Sequence, residues 1–315
     1  VTMKVSCDHD GIISDGEVIS LSRDGNSIEW SVLKARSVLG SYDATIRIKS
    51  ITQSTIEISG NPTKWLQGHN LFGTNDLKHL VWVFFNKLLE VPELKLKPTL
   101  AQLHAIKMGK LTVSRVDINE TWFLKNQADV KAWIRAAGSK VSMPHRGKGV
   151  FSGDTLYWGK GSKYYFLKCY SKGDEINSKK SNFPSELRTP QMLEYADKAL
   201  RLELVLCSKA LREWNLNMPC NWTLETPKML LLQVVRSLDM SNNFKLSSTV
   251  TDGMATGLRL AYFAWLSGID LRAELPKNTF YRYRRKLKEH DIDIALVRDI
   301  DKPADNVIPL IRVLE

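Results

Sequence analysis

The chain has 315 residues, a mass of 35.8 kDa and a formal net charge of +11 at pH 7, enough length for two domains with cores of their own. Its longest apolar stretch, around residues 81–85, falls far short of the roughly 20 residues a membrane helix needs, and no basic start followed by an apolar run opens it as a secretory signal. The cysteines (Cys7, Cys169, Cys207 and Cys220) include no close pair, which excludes a zinc ribbon, a Cys-x-x-Cys redox motif and a disulfide scaffold, and points to a reducing cytoplasm.

Residues 1–60 read as short strands. Residues 46–50 and 55–59 alternate apolar and polar, the period of a half-buried strand, and Asp24-Gly25-Asn26 and Gly60-Asn61-Pro62 supply turns. Residues 76–90 predict a helix, with Leu77, Leu80, Val81, Phe84 and Leu88 at three- and four-residue spacing and Asn75 or Asp76 as its cap. A strand follows at 110–119, a helix at 128–137, and two strands at 155–158 and 164–170 joined by Gly159-Lys-Gly-Ser162. Residues 141–180 hold eight basic and three acidic residues, the first local excess of positive charge. Then come a helix at 189–198 and a strand at 200–206. After Cys207 helical patterns take over, at 230–238, 254–266 and 279–289, with Pro219 and Asn221 in a linker, so the boundary is placed near 210. The window 277–288 has six basic and no acidic residues; with 141–180 it accounts for the whole net charge. Separated basic patches on a neutral scaffold suit a polyanion partner, because neutralising phosphates releases counterions. The chain closes on a strand-like 307–313, and its opening on Val1 and its end at Glu315 inside an apolar segment read as trimming.

Three strands carry the chemistry. Alternation places Arg115 and Asp117 on one face, and Arg201 and Glu203 on one face with Leu200, Leu202, Leu204 and Leu206 opposite. Lys168, Tyr170 and Lys172 project together from a third strand. As neighbours, these strands would gather two carboxylates, a tyrosine and lysines. Carboxylates bind a hard divalent cation, a tyrosine can attack a phosphodiester, and a lysine can lower its pKa or steady the developing charge. By spacing alone, intrasheet ion pairs are the commoner meaning of Arg-x-Asp and Arg-x-Glu, and a lone tyrosine in a basic window more often packs or touches DNA. His69, in the loop Trp65–Gly73, is by itself more often a hydrogen-bonded turn residue than a ligand. No His-x-His pair and no glycine-rich Walker motif occurs. In 278–288, Asn278 or Thr279 can cap a helix that presents Arg282, Arg285 and Lys286, with Phe280, Tyr283 and Leu287 packing inward. Helix-turn-helix modules present side chains to DNA in this way, and a solvated basic helix is the plainer alternative.

The block Asn61-Pro-Thr-Lys-Trp-Leu-Gln-Gly-His-Asn-Leu-Phe-Gly-Thr-Asn-Asp-Leu77 resembles the gene II/gene X replication initiators of filamentous bacteriophages. The similarity recurs in order at 112–118, at 155–160, at Leu167-Lys-Cys-Tyr-Ser-Lys-Gly-Asp-Glu175, at 200–204, at 279–285 and at 306–312. It thus spans nearly the whole chain, most like the family's members from CTX-type vibriophages. The resemblance implies rolling-circle initiation in the cytoplasm of the bacterial host. The plus strand at the phage origin is nicked by a tyrosine that becomes joined to the 5′ phosphate, the freed 3′ hydroxyl primes synthesis, and a second cleavage rejoins the circle. It implies Mg²⁺ or Mn²⁺ as cofactor. The partners implied are origin DNA, double- and single-stranded, and the host helicase and DNA polymerase, with no membrane.

Residue by residue, the family's tyrosine–x–lysine pattern falls on Tyr170 and Lys172. Asp117 and Glu203 are the expected metal ligands, with His69 as the third ligand or a phosphate contact and Glu175 in reserve. Lys160, Lys163 and Lys168 are expected DNA contacts, joined by Arg282, Arg285 and Lys286. The expected fold is α+β: an antiparallel sheet flanked by helices over 1–210 as the nicking and joining domain, then a helical DNA-binding or accessory domain over 211–315. The competing reading is a non-catalytic origin-binding protein that works through the basic helix.

Overall fold

The computed structural model describes residues 1–179, 181, 183–238, 254–266, 269–289 and 292–295, so the strand-like 307–313 lies outside the described residues. In its first half the strands are β1 (Thr2–Ser6), β2 (Glu17–Leu21), β3 (Ile28–Leu33), β4 (Arg36–Leu39), β5 (Thr45–Thr52), β6 (Thr55–Gly60) and β7 (Thr112–Phe123). They continue with β8 (Ser142–Met143), β9 (Gly147–Lys148), β10 (Val150–Ser152), β11 (Thr155–Trp158), β12 (Tyr165–Ser171) and β13 (Ala199–Cys207). The first helices are α1 (Pro62–Gln67), α2 (Leu77–Leu89), α3 (Leu100–Lys107), α4 (Gln127–Lys140), α5 (Lys172–Asn177) and α6 (Pro190–Lys198). Then follow α7 (Ser208–Glu213), α8 (Thr226–Arg236), α9 (Thr256–Leu266), α10 (Leu271–Glu274) and α11 (Lys277–Lys288). None of the described helices is long and apolar enough to cross a membrane.

Nine strands form one antiparallel sheet in the order β10-β11-β12-β13-β7-β1-β6-β5-β4, while β2–β3 and β8–β9 are separate ribbons. The fold is therefore α+β, an antiparallel sheet with helices and a helical C-terminal part, as the sequence pattern predicts. At its centre β13 is buried on both sides: Leu200, Leu202, Leu204 and Leu206 are fully enclosed on one face, and Arg201, Glu203 and Val205 lie on the other. The leucine face meets Leu167 and Cys169 of β12, Val116 and Ile118 of β7, and helix α4 with its buried Val130, Trp133, Ile134 and Ala137. Burying four leucines contributes on the order of 8 kcal/mol before entropy is charged against it, enough to fix the register of β13 and so every side chain opposite.

A β-bulge sharpens that register. β1 pairs Thr2 with Arg115 and Met3 with Val113, so Ser114 is an extra residue in β7. The bulge lets Val113, Val116 and Ile118 all reach the core while Arg115 and Asp117 turn to the opposite face.

The chain divides into two compact units, Val1–Asp239 and Met240–Glu315. The division falls at 239 rather than near 210. Helices α7 and α8 carry apolar stripes (Ala210 and Leu211; Leu231, Val234 and Val235) that are buried in the first unit, and both pack on β7. In the second unit α9, α10 and α11 close around Leu258, Tyr262, Leu271, Phe280 and Leu287, joined by Ile294.

Candidate active site

The two ends of α1 and α2 set the first loop of the site. Asn61 caps α1 by accepting from the Lys64 amide at 3.0 Å, and Gly68 ends it at φ +82, a left-handed conformation. A Cβ at Gly68 would collide with the Tyr42 ring. Asp76 caps α2, accepting from the His79 amide at 2.8 Å. The intervening loop carries His69, Asn70, Leu71 and Phe72 to the edge of the polar sheet face.

On that face the three strands expected to be neighbours are neighbours. Tyr170 of β12 pairs with Arg201 of β13, which pairs with Thr121 of β7; one step along, Lys168 pairs with Glu203. The Tyr170 hydroxyl donates to Glu203 Oε1, while Lys168 Nζ pairs with Glu203 Oε2 and lies 3.8 Å from Asp117. Arg115 holds both Asp117 oxygens from Nε and Nη2, each at 2.8 Å. The group lines a cleft of about 1210 Å³.

Burial opposes ionisation of Asp117, but the Arg115 guanidinium and Lys168 hold its carboxyl below the ordinary value. Burial likewise works against the Lys168 ammonium, yet Glu203 and Asp117 outweigh it and raise its pKa. The Tyr170 phenol is pushed well above its ordinary value of 10, first by burial and then by the charges of Glu203 and Glu175. To serve as a nucleophile, a phenol held neutral against a carboxylate would have to give up its proton as it attacks.

Lys172 does not lie on the strand with Lys168 and Tyr170. β12 stops at Ser171, whose hydroxyl caps α5 by accepting from the Asp174 amide at 3.2 Å, so Lys172 is the first helical residue. It still reaches Tyr170: its Nζ lies 5.9 Å from the ring centroid, donates to Asn70 Oδ1 at 2.7 Å and pairs with Glu175. Its side chain is 1% exposed, and burial, helped by the Arg201 charge and opposed by Glu175, lowers its pKa to about 8. Between about pH 8 and the ordinary lysine value of 10.5, the unfolded chain therefore binds a proton that the folded chain does not, and stability rises with pH at up to about 1.4 kcal/mol per unit. Lys172→Met removes this dependence. The wild-type stability advantage over Lys172→Met, from urea titrations, should grow from pH 8 to 9.5; a constant difference refutes a buried, depressed Lys172.

His69 stands apart from the carboxylates. Its Nδ1 accepts from the Leu71 amide at 3.3 Å, its ring packs against Phe72 and Phe183 at centroid distances of 5.9 and 6.3 Å, and burial followed by the Lys172 charge lowers its pKa. Asp117 and Glu203 supply the oxygen donors a hard divalent cation takes. However, Arg115 occupies both oxygens of Asp117, Lys168 lies against both carboxylates, and His69 is outside the cleft lining. No three His, Cys, Asp or Glu side chains among the described residues gather into a cation site. As arranged, Asp117, Glu203 and His69 do not fit around a metal ion.

Of the expected DNA contacts in the first unit, Lys160 and Lys163 are exposed, and Lys160 Nζ lies 4.9 Å from the Tyr157 ring centroid. In the second unit α11 starts after Pro276, with no side-chain cap, so Asn278 and Thr279 sit in its first turn instead of capping it. Arg284 is committed to Asp293, with two bonds of 2.7 and 2.8 Å, while Arg282, Arg285 and Lys286 stay exposed.

Two residues have partners that the spacing did not show. Arg201 is 1% exposed and donates to the Asn70 carbonyl at 2.5 Å, the Leu71 carbonyl at 2.8 Å and Thr121 Oγ1 at 3.1 Å. It ties the His69–Phe72 loop to the sheet, and an arginine inside a run of alternating leucines is the sequence signal of a buried charge. Asn70, adjacent to His69 in the Gly-His-Asn block, is the residue of that block that reaches the Tyr170 neighbourhood, through Lys172.

Residues 1–225 match the N-terminal family of the phage replication-associated protein encoded by gene II, and residues 253–315 match the C-terminal family of the same protein. The chain belongs to the gene II replication-associated protein family of filamentous phages. It is 35% identical over 324 residues to the replication-associated protein of Enterobacteria phage I2-2, covering 100% of this chain and 92% of that protein. With the replication-associated proteins of Enterobacteria phages M13 and f1 the identity is 24% over 320 residues, covering 82% of this chain and 74% of each relative. The N-terminal family match contains every residue of the Tyr170 cleft except Pro227, and the C-terminal match contains all of α11.

Proposed function

We propose that the chain is a phage replication initiator that nicks and rejoins the plus strand at the phage origin, with Tyr170 as nucleophile. The observation that carries the reading is the Tyr170 hydroxyl donating to Glu203 within a cleft of a gene II family chain. In the proposed step the phenol oxygen attacks phosphorus as its proton passes to Glu203, whose other oxygen Lys168 keeps in place. The bond to the 3′ oxygen breaks and that oxygen takes a proton from water to become a 3′ hydroxyl, while the buried Lys172, paired with Glu175 of the cleft lining, steadies the charge beside Tyr170. The phosphate stays on Tyr170 as a 5′ phosphotyrosine, so the reverse attack by a 3′ hydroxyl rejoins the strand without ATP. Origin DNA, duplex and single-stranded, is the substrate, and host helicase and polymerase extend the nick.

The test is incubation of supercoiled plasmid carrying a cognate filamentous-phage origin with the protein, stopped with SDS. The expected product is a nicked circle with protein on its 5′ end. Dependence on Mg²⁺ or Mn²⁺ enters the proposal from the family resemblance alone, and parallel reactions with EDTA test it. Origin binding with neither nick nor adduct would establish the binding-only reading instead.

Duplex binding is assigned to α11. Changing Arg282 and Arg285 to Ala should weaken binding to duplex DNA and lower the slope of log affinity against log salt by about two, one for each lost phosphate contact. Unchanged affinity at low and high salt would remove α11 from the DNA interface.

A further inference from the structure

The cleft at Tyr170 is a poor electrostatic host for a nucleic acid strand. Its side-chain cations are Arg115, Lys168 and Arg201, each already engaged with a carboxylate or with main-chain carbonyls. Glu120, Asp154, Asp174 and Glu175 line it in addition to Asp117 and Glu203. Carboxylates outnumber cations two to one in the lining, and with Lys172 and Lys131 offsetting Glu175 and Asp174 the site still has no net positive field to draw phosphates in.

The same cleft carries an aromatic row drawn from three separate elements. Phe72 comes from the loop after α1, Tyr195 from α6 and Phe123 from the last position of β7, and all three line the cleft with Tyr170. Tyr195 meets Phe72 edge-to-face at 4.9 Å and Phe123 at 4.8 Å. It is anchored from behind by Leu71, Ile176 and Ala196, whereas Phe72 and Phe123 are 48% and 54% exposed. Phe123 projects from the same sheet face as the nucleophile: it pairs with Ala199, two residues along β13 from the partner of Tyr170. Two half-exposed phenyl rings braced on a third, at the mouth of a polar cleft, are misplaced for a core but well placed for flat apolar ligands.

We propose that Phe72, Tyr195 and Phe123 form a stacking platform for unpaired bases of the strand whose phosphate lies at Tyr170. The inference rests on the reading that the cleft takes DNA, and it specifies how: bases, whose faces are uncharged, supply the affinity that the acidic lining denies to phosphates. Such a platform accepts any base and acts only on melted DNA, so it couples nicking to strand separation.

The test uses the full chain and two fluorescent probes of about 12 nucleotides, an oligothymidylate and a chain of abasic sites with the same number of phosphates. Wild type should bind oligothymidylate more tightly than the abasic chain. The double variant Phe72→Leu/Phe123→Leu should lose about tenfold for oligothymidylate, with abasic binding and the salt slope unchanged. Phe72→Trp should bind oligothymidylate at least as tightly as wild type. Equal wild-type affinity for the two probes, wild-type oligothymidylate binding by the Leu variant, or a loss shared by both probes each overturns the proposal. Wild-type melting temperature of the Leu variant, expected from the exposure of both rings, excludes unfolding as the cause. No cleavage is needed for the readout. If Tyr170 is not the nucleophile, the adduct is missing while the base preference persists; if the platform is wrong, the preference is missing while the adduct forms.

Discussion

Tyr170→Phe should abolish the covalent protein–DNA adduct and cut nicking of a supercoiled origin plasmid on the order of a thousandfold or more, while leaving origin binding intact. The substitution removes one oxygen, the atom assigned to attack phosphorus, and keeps the ring that packs at 9% exposure. Its structural cost is a single hydrogen bond to Glu203, whose charge still has Lys168. That loss is worth about 2 kcal/mol, too little to unfold the sheet. Arg282 and Arg285 of α11, to which duplex binding is assigned in the proposal, are untouched. A Phe variant that still nicks at the wild-type rate would refute Tyr170 as nucleophile.

Arg201→Met should destabilise the first unit by about 3 kcal/mol, seen as a lower urea midpoint, and should depress nicking as well. Methionine matches much of the arginine's volume but donates nothing, so the Asn70 and Leu71 carbonyls and the Thr121 hydroxyl lose their donor inside the fold. Arg201→Lys should recover little, because one ammonium cannot reproduce the geometry of three guanidinium nitrogens aimed at three acceptors. Since the Asn70 side chain also receives Lys172, a loop freed from Arg201 displaces the lysine beside Tyr170. A change under about 1 kcal/mol would show that water replaces the guanidinium and that the loop is held by other means.

Much of the candidate site was legible because alternation in a strand is strictly two-residue. Once Leu200, Leu202, Leu204 and Leu206 claimed the core, Arg201 and Glu203 had to face the other way, and Arg115 and Asp117 likewise shared a face. The same logic failed for Lys172, because the Ser171 cap ends the strand one residue earlier, and strand spacing does not show where a capping serine will start a helix. The helical pattern of α7 and α8 likewise says nothing about which sheet their apolar stripes cover, and both helices lie in the unit that runs to Asp239.

By itself the sequence determined the α+β class, most of the strands and helices, the two basic windows and the pairing of charges along single strands, all properties set by neighbours within a few residues. Only the tertiary structure decided that β7 lies between β13 and β1, that the Gly-His-Asn loop is fastened through Arg201, and that Asn70 rather than His69 contacts the residue beside Tyr170. It alone decided that Phe72, Tyr195 and Phe123 meet. Those contacts join residues up to 131 positions apart, and they exist because burying the leucine face and satisfying a buried guanidinium leave the chain one arrangement in which both are done.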